Sequence, residues 1–166
     1  MIQTRYRPGQ YPQGLLPFIQ KADYIEVKRV KTHKPLREFI AGCFSYSPAW
    51  LTFLYWLRGQ LVPLIGLKGH GAVQMQPISA KDVPFVKGKK AAFFTVMHAE
   101  GNLWVSAAKD RHLTAYLAVE KQQDTIQLYT LIEYHHWTGR LYYAVISPFH
   151  HVVVNNMIRA GALSTH

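Results

Sequence analysis

The sequence predicts an α+β fold in which a run of antiparallel strands is closed by one long carboxy-terminal helix. Between residues 91 and 136, apolar and polar residues alternate in three or four segments that short turn sequences separate, a pattern typical of consecutive hairpins. From residue 138 to residue 160, apolar residues recur every three to four positions instead. That spacing is typical of one face of a helix. The change of period therefore marks the point where the sheet ends and the final helix begins.

The amino-terminal part of the chain predicts an arm, a strand and a short helix. Residues 1–22 are rich in proline and glycine, so we expect an irregular arm that lies over the fold or is partly disordered. Side chains alternate at residues 23–30 and predict a half-buried first strand. Pro35 then opens a helix to about Phe44, because a proline at the first helical position loses no hydrogen bond. A single domain is expected over residues 23–166.

A second helix and a long connection are expected before the main run of strands. Ser47 and Pro48 predict the helix start, with the serine as its cap. Six apolar residues share one face of this helix and are expected to pack against the sheet: Trp50, Phe53, Leu54, Leu57, Leu61 and Leu64. Residues 66–90 are rich in Gly, Pro and Lys and show no period, so they predict a long connection of a kind that is often functional or mobile.

The strands after this connection are expected at residues 91–99, 102–109, 112–120 and 124–136. Because successive side chains alternate across a strand, two rows should point into the core: Leu113, Ala115, Leu117 and Val119 in one strand, and Ile126, Leu128, Thr130, Ile132 and Tyr134 in the next. The final helix should pack on these rows through Leu141, Val145, Phe149 and Val153. Pro148 removes one internal hydrogen bond and should kink the helix.

Composition sets the class of the protein and its range of partners. Hydrophobic residues make up 49% of the 166 residues, enough for one substantial core. Nineteen basic and nine acidic residues give a formal charge of +10, which favours anionic partners. The single cysteine, Cys43, lies among apolar neighbours, so we expect a buried structural thiol and a reducing, cytoplasmic compartment. The sequence shows no secretory signal and no apolar stretch long enough to be a transmembrane segment.

Three short motifs carry a resemblance to a known superfamily. They are residues 50–67, the sequence Asp110-Arg111-His112-Leu113, and Gly139-Arg140-Leu141-Tyr142 followed by Pro148-Phe149-His150. With the element order over residues 22–162, they resemble the START-related helix-grip superfamily of lipid-transfer domains, polyketide cyclases and birch-pollen-type allergens. The chain looks most like an uncharacterised, mostly bacterial family of that superfamily. The resemblance implies a curved sheet wrapped around the last helix, two short helices after the first strand, and an apolar cavity. It implies no reaction, because fold does not determine chemistry.

The residues expected to line this cavity come from the strands and from the final helix: Trp104, His112, Thr130, Tyr134, Arg140 and His150. His112 or another cavity histidine would serve as the acid–base group of an enzyme, because histidine titrates near neutral pH. The histidines lack the spacing of metal ligands, and the sequence predicts no metal and no cofactor. Arg140 near a helix amino terminus needs an acidic partner such as Asp110, or it anchors an anionic ligand group.

The sequence thus favours a domain that binds a hydrophobic or amphipathic small molecule. A cyclase or dehydratase-type enzyme that uses a cavity histidine is one alternative. A basic protein that contacts an anionic membrane surface or nucleic acid is another, and its basic residues cluster at positions 28–37. Nucleic acid is the less favoured of these partners, because the chain carries no helix-turn-helix, zinc-finger or stacking-aromatic motif.

Overall fold

The computed structural model describes residues 11–46 and 78–163. Within this part of the chain, the strands are β1 (Tyr24–Lys31), β2 (Lys90–Ala91), β3 (Phe94–Glu100), β4 (Leu103–Lys109), β5 (Leu113–Gln122) and β6 (Thr125–Tyr134). The helices are α1 (Leu16–Ile19), which follows a 3-10 turn at Gln13–Leu15, then α2 (Leu36–Ser45) and α3 (Trp137–Leu163). The expected α+β class, with a long carboxy-terminal helix, is confirmed. The second helix expected at residues 47–64 and the motif at residues 50–67 lie outside the described residues.

The six strands form one open, curved antiparallel sheet in the order β1-β6-β5-β4-β3-β2. Strands β3 to β6 are joined in sequence by tight turns, where Gly101 and Gln123 adopt positive φ angles of 56° and 51°. β1 then pairs with β6, so that the first and the last strand of the chain are neighbours and Glu26 lies opposite Thr130. This pairing brings residues more than a hundred positions apart in the sequence side by side.

The helices α2 and α3 cover one face of the sheet, and the two predicted inward rows point toward them. Leu117 pairs with Thr130 and Leu113 pairs with Tyr134, which confirms that the rows share a face. The main core forms where α2, α3 and this face meet: Phe39, Phe44, Trp104, Leu117, Leu128, Val154, Met157 and Ile158 are among its buried residues. Cys43 is a buried free thiol in this core, as expected, and burial raises its pKa.

The face of α3 that packs on the sheet differs from the predicted one. Leu141, Val145 and Phe149 were expected to be buried, but they are 55%, 60% and 53% exposed, so that part of the prediction is wrong. Val153 is partly buried against the core. The buried row lies about half a turn away and consists of Gly139, Tyr143, Val154, Met157, Ile158 and Gly161. The helix is apolar on both sides, and hydrophobic spacing alone selected the wrong side.

The residues before β1 cover the opposite face of the sheet. Leu15 and Ile19 are buried there, in a second core cluster that includes Val105, Tyr129 and Leu131. A side-chain carbon on Gly14 would lie 2.6 Å from Nε2 of His98, so this segment lies tightly against the sheet. Where an irregular arm was expected, residues 11–22 contain short helical turns that complete a third layer.

Candidate functional site

A group of polar side chains lies where the middle of α3 crosses β1 and β6. On β1, alternate residues point toward the helix, and Thr130 is the cross-strand neighbour of Glu26 on β6. The helix contributes residues that recur every three to four positions. We call the whole group the helix–sheet polar cluster: Tyr24, Glu26, Lys28, Thr130, Tyr143, Ser147, His150, His151 and Asn155. It lies between the main core and a smaller apolar cluster of Leu113, Ile132 and Tyr143.

Glu26 is the centre of the hydrogen bonds in this cluster. Its Oε1 lies 2.9 Å from Nδ1 of His151 and 3.2 Å from Nζ of Lys28. When Nδ1 of His151 carries the proton, Nε2 accepts the hydroxyl of Ser147 at 3.3 Å. Lys28 also donates to Oδ1 of Asn155 at 2.5 Å and to the carbonyl oxygen of His151 at 3.2 Å. These contacts fix α3 to β1 over about one helical turn, from His151 to Asn155.

Besides the hydroxyl of Tyr143, which interacts with Tyr24, three polar atoms of the cluster are buried and have no hydrogen-bond partner among the described residues. They are Oε2 of Glu26, Oγ1 of Thr130 and Nδ1 of His150. Folded proteins pair nearly all their buried polar groups, because an unpaired one keeps the full cost of leaving water. Three such atoms in one cluster are therefore an observation that requires a physical explanation.

His150 is neutral at ordinary pH. Burial lowers its pKa to about 4 from the ordinary 6.5; Glu26 acts in the opposite direction, and His151 and Lys28 add to the lowering. The ring packs edge-on against Tyr143, with 5.8 Å between centroids. A neutral imidazole offers one donor and one acceptor nitrogen, so His150 can bind either kind of partner.

The tyrosines of the cluster form a second polar contact beside His150. The rings of Tyr24 and Tyr143 lie 5.2 Å apart. Burial, and then the neighbouring Tyr24, raise the pKa of Tyr143, so that its hydroxyl keeps its proton. The cluster therefore contains neutral hydroxyls and a neutral imidazole next to one carboxylate.

Two of the six predicted site residues, Thr130 and His150, belong to the cluster. Tyr134 and Arg140 lie beyond it, in an open depression of about 270 Å³ near the start of α3. Nη2 of Arg140 lies 3.7 Å from Oδ1 of Asp23, and its guanidinium carbon lies 5.6 Å from the centroid of the Tyr134 ring. Asp110, the partner expected for Arg140, instead accepts a hydrogen bond from the backbone N–H of Arg111 at 2.6 Å.

The contacts of Trp104 and His112 indicate a structural role for both side chains. Trp104 is fully buried, and its Nε1 donates to the carbonyl oxygen of Pro84 at 2.8 Å. Nδ1 of His112 lies 2.8 Å from Oγ1 of Thr138. A side-chain carbon on Gly139 would clash with the carbonyl oxygen of His112. The two motifs around His112 and Gly139 are thus in direct contact with each other, at the junction of the sheet and α3.

Several residues of the expected basic patch form hydrogen bonds within the fold. Besides Lys28, Nε of Arg29 donates to Oε1 of Gln127 at 3.0 Å, and Nη1 of Arg37 donates to the carbonyl oxygen of Val83 at 2.9 Å. Across the described ranges, no three His, Cys, Asp or Glu side chains converge in a way that could hold a metal ion. Likewise, no helix in the described part of the chain is long and apolar enough to cross a membrane.

Sequence reasoning missed Glu26, Ser147 and His151 as a connected set. Alternation along β1 does place Glu26 with Tyr24 and Lys28 on one face. The missing information was the pairing of β1 with β6 and the phase of α3, which are both tertiary features. Only these bring Glu26 next to Thr130 and the two adjacent histidines.

Comparison with known proteins gives a family but no activity. The model of a family described as "Protein of unknown function (DUF2867)" matches residues 18–157. The chain belongs to this family. The matched range contains every residue of the helix–sheet polar cluster of this DUF2867 chain. No curated protein and no solved structure matches the chain.

Proposed function

We propose that this DUF2867 chain binds an uncharged amphipathic small molecule between α3 and the sheet, with the polar end of the molecule against Glu26, Thr130 and His150. The observation that carries the proposal is the set of three buried polar atoms without partners in the described structure. Each such atom costs roughly 1–3 kcal/mol. A ligand that forms these hydrogen bonds removes that cost, so part of its binding free energy comes from the protein itself.

The three atoms define the chemistry of the polar end. Oε2 of Glu26 only accepts hydrogen bonds, whereas the Thr130 hydroxyl and the neutral His150 imidazole each donate or accept. A hydroxyl or a primary amide on the ligand satisfies all three. A carboxylate would instead face the negative charge of Glu26 in a buried site, where like charges repel strongly. We therefore expect alcohols and amides to bind more tightly than acids.

The apolar part of the ligand has surfaces on either side of the polar cluster. Toward the start of α3 lie Leu113 and Ile132, and toward its end lie Leu128, Val154 and Met157. Apolar groups gain about 0.8 kcal/mol for each buried methylene. The resemblance to the helix-grip superfamily supports the same class of ligand.

Binding requires α3 to separate locally from the sheet, because the three polar atoms are sealed from solvent. Pro148 lies in α3 next to this point. A proline has no N–H group, so the carbonyl of Ala144 lacks its usual helical donor and the helix is weakened there. The weakest part of α3 therefore lies beside the atoms that need partners.

A displacement assay tests the chemistry of the ligand. The protein is loaded with the uncharged lipophilic dye Nile red, and the dye is displaced with a fatty alcohol, a fatty amide and a fatty acid of equal chain length. We expect the alcohol and the amide to displace the dye at lower concentration than the acid. Equal displacement by all three, or none, would refute the proposed polar end.

The substitution Thr130→Val separates ligand binding from stability. Valine has nearly the shape of threonine but removes the unpaired hydroxyl, so the free protein should gain stability, by roughly 1 kcal/mol, while its affinity for the alcohol falls. The matched control is Thr114→Val on the opposite face of the sheet. The hydroxyl of Thr114 lies 2.8 Å from Nε2 of His135, so its loss should lower stability and leave binding unchanged. A destabilised Thr130→Val protein with normal affinity would contradict the proposal.

A second candidate function rests on the contacts of His151. The side chain of His151 is 41% exposed and joins Glu26 to Ser147, an arrangement in which a carboxylate orients an imidazole as a general base. An enzyme of the cyclase or dehydratase type would then use His151, whereas His112 is held at the junction of sheet and helix. Under this alternative, turnover of a bound β-hydroxy compound disappears in His151→Ala and persists in His112→Ala. Equal turnover in both variants would exclude it.

A further inference from the structure

The side of α3 that faces away from the sheet carries a continuous row of apolar residues. We call it the outer apolar stripe: Leu141, Val145, Phe149 and Val152, which are between 49% and 60% exposed. Their spacings of four, four and three residues place them along one line of the helix. Single exposed apolar residues are common on protein surfaces, whereas a contiguous row marks a surface that contacts something apolar.

The charges of α3 indicate the nature of that contact. The helix contains no aspartate or glutamate over its 27 residues, and its two arginines are Arg140 and Arg159. Arg159 follows Leu141 by eighteen residues, which is five helical turns, so it lies on the line of the stripe. Trp137 at the amino end of the helix is 73% exposed. An apolar row with an arginine on its line toward the carboxy end and an exposed tryptophan at the amino end of the helix complements a surface that is apolar inside and anionic outside.

We propose that the outer apolar stripe docks α3 lengthwise onto the surface of a bilayer that contains anionic lipids. A helix in this position buries its apolar side at the level of the acyl chains, while its cationic side chains extend to the lipid phosphates. The formal charge of +10 attracts the whole chain to such a surface before the stripe makes contact. This inference does not depend on the proposed ligand, because the stripe and His150 lie on opposite sides of α3.

A second copy of the chain fits the stripe less well. A standard protein interface buries ~800 Å² on each partner, and four side chains that are already half covered supply well under that. Two copies that pair through this face would also bring together helices that carry arginines and no carboxylates, on chains of equal positive charge. The bilayer offers apolar contact and negative charge together, which is why we favour it.

Vesicle co-sedimentation tests the proposal. The wild-type chain should sediment with vesicles made of equal parts phosphatidylcholine and phosphatidylglycerol, and weakly with vesicles of phosphatidylcholine alone. Phe149→Asp should lower the partition coefficient roughly tenfold or more, because it removes the largest apolar side chain of the stripe. Val86→Asp is the matched control: Val86 is equally exposed, at 61%, but lies in the segment before β2. It should change partitioning by less than about twofold.

Three further results decide between the bilayer and other occupants. Arg159→Glu should weaken binding at low salt and reduce its salt dependence. Circular dichroism should show that Phe149→Asp retains the wild-type fold and melting temperature, since the residue is exposed. Equal vesicle binding by wild type and Phe149→Asp would overturn the proposal. So would the absence of vesicle binding together with a dimer in sedimentation velocity that Phe149→Asp dissociates, which would assign the stripe to a second copy.

Discussion

Mild acid should destabilise this protein through one buried histidine. His150 is surrounded by Tyr143 and His151 on α3 and faces Glu26 and Lys28 on β1. Burial lowers its pKa to about 4, from 6.5 in an unfolded chain. Below pH 6.5 the unfolded chain therefore binds a proton that the folded chain does not bind until the pH approaches 4. The free energy of unfolding falls across this window and is unaffected by His150 above it.

The size of the effect follows from the two pKa values. Their difference corresponds to about 3 kcal/mol of unfolding free energy when the pH has fallen below both. About 2 kcal/mol of this is lost between pH 7 and pH 5. That loss is a large fraction of the 5–15 kcal/mol that is typical of a whole domain, so it is measurable in a simple unfolding titration.

Guanidinium unfolding at pH 7 and at pH 5, followed by tryptophan fluorescence, measures this loss. His150→Gln keeps a polar side chain that can hydrogen-bond but removes the titration, so its unfolding free energy should fall by about 2 kcal/mol less than that of the wild type. The exposed His136 provides the matched control, and His136→Gln should behave as the wild type does. If His150→Gln lost as much stability as the wild type on acidification, then His150 would not be the group responsible.

Two further predictions concern the packing of α3. Gly139→Ala should lower the free energy of unfolding by about 1–3 kcal/mol and lower the melting temperature markedly, because the added methyl group would meet the backbone carbonyl of His112. A melting temperature equal to that of the wild type would show that the junction of sheet and helix can open without cost. Phe149→Ala should cost less than about 1 kcal/mol because Phe149 is exposed, whereas Phe39→Ala in the core should cost about 3–5 kcal/mol. The reverse order of these two costs, measured by chemical denaturation, would mean that α3 packs on the sheet through its other side.

The sheet could be predicted from the sequence because its signals are local. Alternation over seven to ten residues identified β3 to β6, and the short turn sequences between them marked the hairpins. The inward rows followed from the same alternation, and the pairing of Leu117 with Thr130 confirms them. The place of β1 beside β6 is different, since a pairing across a hundred residues leaves no local signal.

The phase of α3 could not be predicted because two rows of the helix are apolar. Hydrophobic spacing favours the row of Leu141, Val145 and Phe149, which has no polar member. The row that faces the sheet contains Gly139, Gly161 and the half-buried polar residue His150. The glycines are there because α3 lies close to His112 at one end and to Cys43 at the other. Close backbone approach, and not hydrophobicity, determines which side of this helix faces the sheet.

The orientation of α3, which is opposite to the predicted one, connects the two proposals about this helix. Thr130 and His150 lie on the sheet side, where buried polar atoms lack partners in the described structure, while Phe149 and Val145 lie on the outer side. Substitutions on opposite sides of a helix that share no contact should act independently. Thr130→Val should then change dye displacement and leave vesicle binding unaltered, and Phe149→Asp should do the opposite. If Phe149→Asp also changed the affinity for the alcohol, docking on the membrane and separation of α3 from the sheet would be one coupled movement, with Pro148 at its centre.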